Sequence, residues 1–398
     1  MSIASKYEYF RAIYARYHSV KKAIKKIILD EFCKNCNYDR KYAIRLLNSP
    51  LEKKSTENLS QRGRKKIYDD AIIENVLKDI WVATNLPCSK RLKHLIPLWL
   101  PFYKKHPITE EIRKKLLDIS ASTIDRIMEP SRAKFCKKGL ATTKPGSIIK
   151  KHIPVKTNQW DEQKPGFLEA DTVAHCGTSV AGMFVYTVNC VDIATQWTEQ
   201  RAVWGKGEKG VLEAISDVES HLPFPVKGFD CDNGSEFLNW HLVRHFQNRK
   251  QPVQFTRSRP YKKNDNAHVE NKNWTHIRQY IGYQRFDNPE LVAMLNELYS
   301  SEWNLYFNFF NNSFQLIEKK RIKSKIIKTY DPPKTPYQRI MKSEFITEET
   351  KQQLKRIKDN LDPFELQHQM KQKINKIMKL VERSIIMDSI AFLYHKFI

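Results

Sequence analysis

No run of 18 or more apolar residues interrupts this 398-residue chain, and no charged-then-apolar leader ending in small residues opens it. Neither a membrane span nor a secretory signal is expected, and the expected location is cytoplasmic. Cysteine is sparse and odd in number, seven in all. That argues against a disulfide framework and for a reduced compartment. Cys33-Lys-Asn-Cys36 stands alone, with no second pair and no His-x(3–5)-His partner, so a turn between helices is expected there rather than a zinc site. Acid is also scarce: 44 Asp+Glu face 69 Lys+Arg, for a formal net charge of +25 and a pI near 9.6. Such a balance points to a polyanionic partner, usually nucleic acid.

The positive excess is unevenly spread. Residues 151–290 hold 17 Lys+Arg and 17 Asp+Glu, so all of it lies in the flanks. A chain basic only for solubility would spread its charge; here basic arms surround a neutral core. The length predicts two to four domains, and a hydrophobic content of 41% is enough for real cores.

The flanks read as DNA-holding modules. Over residues 20–48, Ala23, Ile24, Ile27, Ile28 and Phe32 recur at three- and four-residue steps, predicting a helix with one apolar face. CKNCNY breaks it. DRKYAIRLL resumes it, with Tyr42, Ile44, Leu46 and Leu47 apolar and Arg40, Lys41 and Arg45 outside. This is the helix-turn-helix layout, whose second helix enters the major groove. GRKKIYDD marks a boundary. AIIENVLKDIWVAT, SKRLKHLIPLWL, EEIRKKLLDIS and SASTIDRIMEPSR then predict a second helical module, with Ser120 or Ser122 as a cap. Residues 136–160, rich in Lys, Thr, Gly and Pro, read as an extended basic linker able to track a DNA backbone.

From residue 166 the texture changes. GFLEADTVA, MFVYTVNCVD and TQWTEQRAVW predict three strands, the first ending at Asp171. GEKGVLEAISDVESHL predicts a helix. PFPVKGFDCD predicts a strand ending at Asp232, with the helix of EFLNWHLVRHF behind it, then the short strand PVQFTRS and a helix over DNAHVENKNWTHIRQYIG. Three strands, a helix, then alternating strand and helix is the order of an RNase H-like layered fold. The divisions expected are 1–66, helix-turn-helix; 67–135, second helical module; 136–160, linker; 161–305, catalytic core; and 306–398, a basic, largely helical C-terminal region.

Taken alone, GFDCDNGSEF fits a helix cap, with Asp232 or Asn233 capping and Gly234 turning. Capping does not explain Asp171 on a neighbouring strand and Glu270, 38 residues after Asp232, on a helix able to pack across the sheet edge. Three carboxylates converging on one point repel unless cations neutralise them, and hard oxygens suit Mg²⁺ or Mn²⁺. Two such ions could bracket a phosphodiester.

Asp171, DNGSEF at 232–237 and NAHVENKN at 266–273 resemble the DDE signature of the integrase catalytic core, shared by retroviral-type integrases and bacterial insertion-sequence transposases. Weaker resemblance runs through TRSRPYKKNDNAHVE to NLYFNFFNNSFQL and TPYQRIM at 335–341. The resemblance implies cleavage at transposon ends and joining of 3′-hydroxyls to target DNA. It implies two divalent ions held by Asp171, Asp232 and Glu270. The partners it implies are duplex DNA at terminal inverted repeats and at the target, with a homo-oligomer on that DNA at a bacterial nucleoid. The chain departs from the pattern at FNFFNNS, where such transposases carry YN-x-x-RPH, and in its apolar end, SIIMDSIAFLYHKFI. Rival expectations are an RNase H-type nuclease without joining and a decayed transposase that only binds DNA.

Near neighbours compete for these roles. Asp230 shares a face with Asp232, and Glu169 with Asp171; the pattern and the strand ends favour Asp232 and Asp171. Glu236 is expected in a first helical turn, where an acid suits the helix dipole. Asn273 shares the face of Glu270 and is a candidate for DNA contact. Arg259, Lys262 and Lys263, just before that helix, are candidate phosphate contacts. His175 and His268 are expected to support the site rather than act as bases.

Overall fold

The computed structural model describes residues 1–49, 67–135, 163–231, 236–237, 239–257 and 267–395. The expected linker, 136–160, lies outside the described residues. The chain forms two compact units, Met1–Ile67 and Tyr68–Ile398.

The first unit holds α1 (Ile3–Ser19), α2 (Lys22–Cys36) and α3 (Arg40–Asn48). Asn37 turns the chain in the left-handed region, and Asp39 caps α3 by accepting from the Lys41 and Tyr42 amides. The apolar stripe of α2 differs from the one expected. Ala23, Ile24 and Ile27 are exposed, and the buried residues are Ile28, Leu29, Phe32 and Cys36. A helix whose apolar residues run around more than half its girth offers more than one stripe, and its partner decides which is buried. Here Phe10, Ile13 and Tyr17 of α1 make that choice, joined by Ala43 and Leu47 of α3. Tyr42 and Ile44, expected inside, are exposed.

The second unit opens with α4 (Ala71–Ala83), α5 (Ser89–Trp99), α6 (Glu110–Asp118) and α7 (Ala121–Phe135). Asp70 and Thr109 cap α4 and α6, and Ser120 accepts from the Thr123 amide at the start of α7. A five-stranded sheet follows, from β1 (Phe167–Ala174), β2 (Val185–Asp192), β3 (Thr198–Trp204), β4 (Gly228–Cys231) and β5 (Gln254–Arg257). The spatial order is β3-β2-β1-β4-β5, with β1, β2 and β3 antiparallel and β4 and β5 parallel to β1. Helix α8 (Glu208–His221) precedes β4, α9 (Trp240–Gln247) precedes β5, and α10 (Ala267–Lys272) follows it. From α10 the chain continues through a π-helical stretch, Asn273–Arg278, into the short α11 (Gln279–Ile281). This mixed sheet and element order are consistent with an RNase H-like core.

Three local details differ from expectation. Asp171 sits within β1, not at its end, because β1 runs on to pair Ala174 with Tyr186. Residues 223–227 are not strand; β4 begins only at Gly228, since the prolines at 223 and 225 withhold ladder donors. Helix α9 starts late, capped by Asn239, whose side chain accepts from the Leu242 amide. Glu236 therefore lies ahead of the helix, buried, accepting from the Thr172 hydroxyl at 3.2 Å.

After α12 (Glu290–Leu298) come two further π-helical stretches, Tyr299–Trp303 and Tyr306–Phe310. The divergent FNFFNNS segment has a structural job. Strand β3 is a sheet edge with free backbone groups, and two asparagines close it: Asn308 accepts from the Thr198 amide and donates to its carbonyl (2.9 and 3.0 Å), and Asn296 does the same at Ala202 (2.7 and 3.0 Å). Asn311 and Asn312 accept from the Arg91 guanidinium at 2.7 and 3.1 Å, tying α5 to the same segment. One continuous hydrophobic core joins α4–α7, the sheet and the C-terminal helices.

The C-terminal region is not helical throughout. It contains an antiparallel hairpin, β6 (Leu316–Ile322) and β7 (Lys325–Tyr330), before α13 (Pro336–Lys342), α14 (Glu348–Asp359) and α15 (Pro363–His395). Among the described residues no helix is long and apolar enough to cross a membrane.

Candidate active site

Alternation along a strand puts Glu169 and Asp171 on one face of β1. Register carries that face sideways. Glu169 lies beside Asp230 on β4, and Asp230 beside Thr256 on β5. On the other side Asp171 lies opposite Asn189 on β2, and Asn189 opposite Gln200 on β3. Two polar rows thus cross the sheet, and α10 with its π-helical continuation packs over both.

The helix is fastened to both rows. Glu169 Oε2 accepts from the backbone amides of His268 and Val269 at 2.9 and 3.0 Å. These are amides of the first helical turn, which have no partner within the helix and sit at the positive end of its dipole. Asn273 donates to Asp171 Oδ2 at 2.7 Å, Asn189 donates to Asn273 Oδ1 at 2.7 Å, and Gln200 donates to Asn189 Oδ1 at 2.8 Å. The Thr172 amide donates to Asp171 Oδ1 at 2.7 Å. A relay of neutral amides therefore fixes one carboxylate from two strands away.

The acids fall into two tiers. Glu169 and Asp230 are buried, at 4% and 8% exposure. Burial pushes the Glu169 carboxyl up to about 8; the Val269 and His268 amides pull it down, and Asp230 and Glu270 push it up again. The Thr256 hydroxyl donates to Asp230 at 2.6 Å. Asp171, by contrast, is half-buried, and Glu270 is exposed in the first turn of α10. Only this second tier can meet a ligand from solvent.

Asp171 and Asn273 are thus joined, and Glu270 lies one turn before Asn273 on the covering helix. Asp232, which follows the last residue of β4, lies outside the described residues, as do Arg259, Lys262 and Lys263. Among the described residues no three His, Cys, Asp or Glu groups stand together as a metal site. Cys33 and Cys36 are unbridged near the end of α2. In the first unit Arg40 pairs with Asp30, the Arg45 guanidinium lies 5.5 Å from the Tyr42 ring centre, and Lys41 is exposed. His175 is fully buried, and His268 Nδ1 lies 3.0 Å from Gln196 Nε2. Asn189 and Gln200 were not legible as site residues. The one signal was an amide on the interior of an otherwise β-branched strand, where asparagine is depleted.

No family model matches the chain. A Sinorhizobium fredii protein described as uncharacterized protein y4rM is 40% identical over 345 residues, covering 85% of this chain and 96% of that protein. The crystal structure of the catalytic core domain of BIV integrase is similar at a TM-score of 0.27 and 13% identity, covering 44% of this chain and 91% of that one. The cryoEM structure of a simian T-cell lymphotropic virus intasome in complex with PP2A regulatory subunit B56 gamma is similar at a TM-score of 0.30 and 14% identity, covering 50% and 64%.

Proposed function

The chain belongs to the family of the Sinorhizobium fredii protein y4rM, and we propose that it is a DDE-type DNA transposase that cleaves transposon ends and joins 3′-hydroxyls to target DNA. The observation that carries this reading is the coupling of Asp171 to the helix of Glu270 through Asn273. Asn273 lies one turn beyond Glu270, so its bond to Asp171 supports a reading in which carboxylates from distant segments act together.

The donors suit the group the reading requires. Asp171 and Glu270 offer accessible hard oxygens, and the DNG motif adds Asp232 directly after β4. Asp171, Asp232 and Glu270 would hold two Mg²⁺ or Mn²⁺ ions, which when bound activate an attacking hydroxyl and neutralise the leaving oxygen. Asn273 orients the Asp171 carboxylate through its Oδ2. Glu169 holds the start of α10 and so sets where Glu270 emerges. Helix α3, with Lys41 exposed on it, is a candidate DNA contact in the first unit. The proposed partner is duplex DNA, at the element's ends and at the target, bound by a homo-oligomer.

The test is incubation with Mg²⁺ and DNA carrying candidate terminal inverted repeats. Nicked ends together with joined products are expected. Nicking without joining would make the protein a nuclease, and binding without either would make it a DNA-binding protein alone.

A further inference from the structure

Every residue of β6 and β7 is exposed, so the ribbon they form buries neither face. A lone two-stranded ribbon is marginal in water, and among the described residues this one is tied to the rest of its unit at its base. There the Gln315 amide donates to Asp331 Oδ1 at 2.7 Å and the Asp331 amide returns a bond to the Gln315 carbonyl at 3.0 Å. Arg339, buried on α13, donates to Asp331 Oδ2 at 2.6 Å, to Gln315 Oε1 at 2.8 Å and to the Ser313 carbonyl at 2.9 Å. The TPYQRIM motif builds this clamp: Thr335 and Gln338 form a capping box that starts α13, and Arg339 reaches back from it.

Beyond the clamp the ribbon is strongly basic. Lys319, Lys320, Arg321, Lys323, Lys325 and Lys328 face a single acid, Glu318. Lys319 stands directly opposite Lys328, an arrangement that opposes strand pairing. Lys323, in the turn, has φ 54, where glycine or asparagine is at ease and a lysine is strained. Two features that weaken the free ribbon are thus the two that gather positive charge on its face and tip. A polyanion relieves the first and uses the second. A second copy of the ribbon would do the reverse, bringing a like set of charges together, although Ile317, Ile326 and Ile327 are exposed.

We propose that β6–β7 is a DNA-docking arm, which lies along a groove of duplex DNA and sets Lys319, Arg321, Lys323 and Lys328 against phosphates. The dimensions fit: seven residues of strand reach about 20 Å, and the major groove, about 12 Å wide, admits a two-stranded ribbon. The inference rests on the reading of duplex DNA as substrate, but its test needs no cleavage.

Full-length protein and a Lys319→Gln/Arg321→Gln/Lys328→Gln variant are titrated with a labelled 30-base-pair duplex over a salt series. Every phosphate that is no longer neutralised should lower the log–log slope by about 0.9, so a drop of up to about 2.7 is expected, with weaker binding. Lys323→Gly should also weaken binding while its melting temperature stays level or rises; it keeps the test open should the triple variant misfold. Unchanged affinity and slope in both variants would overturn the proposal. So would unchanged DNA binding with self-association, measured by sedimentation, lost on Ile317→Ser/Ile327→Ser. A protein that binds DNA through the ribbon yet neither nicks nor joins it would sink the transposase reading and leave the arm standing.

Discussion

Around Asp171 nearly every contact is internal: a backbone amide, an asparagine on the covering helix, and behind it two more amides reaching to the edge strand. Along β6–β7 the contacts to the rest of the described unit lie at the base, and every strand residue faces solvent. The Asp171 carboxylate is held from two sides before any partner arrives, as a group needing fixed geometry would be. The ribbon is under-supported in isolation, with like charges paired and a strained turn, which suits an element that gains its support from a partner. If that contrast is right, damage at the edge should remove chemistry and spare binding, and damage at the clamp should remove stability and order in the ribbon.

The largest effect expected is at the edge itself. Asp171→Asn, Asp232→Asn and Glu270→Gln should each lower both cleavage and joining by at least about 10³-fold, since metal-assisted charge stabilisation is worth several kcal/mol. Folding and DNA binding should survive, because these changes keep shape and remove charge. Strand-transfer assays with parallel end-binding measurements check this. Near-normal joining by Asp232→Asn beside a dead Asp230→Asn would show that the buried tier holds the ligands.

Next in size is the clamp. Arg339→Ala leaves Asp331 buried without its main partner, and breaking such a pair costs about 3–5 kcal/mol. Chemical denaturation should show the loss, and limited proteolysis should cut between 316 and 330 sooner. A variant as stable and as protease-resistant as the parent would mean that the ribbon is held by something other than this ion pair.

The two regions also differed in how readable they were. The core strands announced themselves through β-branched runs broken by Gly and Asp, and the order of β1 to β5 followed. What failed there were details fixed by register: Asn189 and Gln200 join Asp171 because three strands align, and no local spacing says so. The buried stripe of α2 departs from the one its spacing predicts, because α1, absent from the expected module, selects which apolar residues are buried. The ribbon leaves no signal in the sequence. Its strands, LIEKKRI and KIIKTY, are charge-dense without a clean alternation, and what holds their base is Arg339, eight residues beyond Asp331 on another element.

A smaller effect should separate the relay from the ligands. Asn273→Ala and Asn189→Ala remove orienting partners of Asp171 but no charge, and losses of this kind usually lie between about 10- and 100-fold. Asn273→Ala should cost more than Asn189→Ala, because it alone touches the carboxylate. Turnover of pre-cleaved ends at saturating DNA reads the difference. Equal, ligand-sized losses from both would collapse the distinction between holding an ion and holding a ligand.

The smallest effect expected is a difference in pH response, and His175 carries it. The ring is fully buried just past β1, stacked on Phe286 with centroids 4.7 Å apart, and its Nε2 lies 2.8 Å from the Thr187 hydroxyl. Burial pushes its pKa down to about 3, with Arg278 adding to the shift. Unfolded, the same side chain titrates near about 6.5. Below about 6.5 the unfolded state therefore takes up a proton that the folded state refuses, so stability falls as pH drops, and continues to fall toward about pH 3. The slope from this one group approaches about 1.4 kcal/mol per pH unit. His175→Gln, which keeps a polar partner for Thr187, should flatten unfolding free energy between about pH 6 and 5 by about that much while changing little at about pH 8. The ribbon strands contain no histidine, so the salt slope of DNA binding should not follow the same pH trend. Identical acid slopes for parent and variant would show that the ring is protonated in the folded sheet, and that this edge is less closed than its contacts imply.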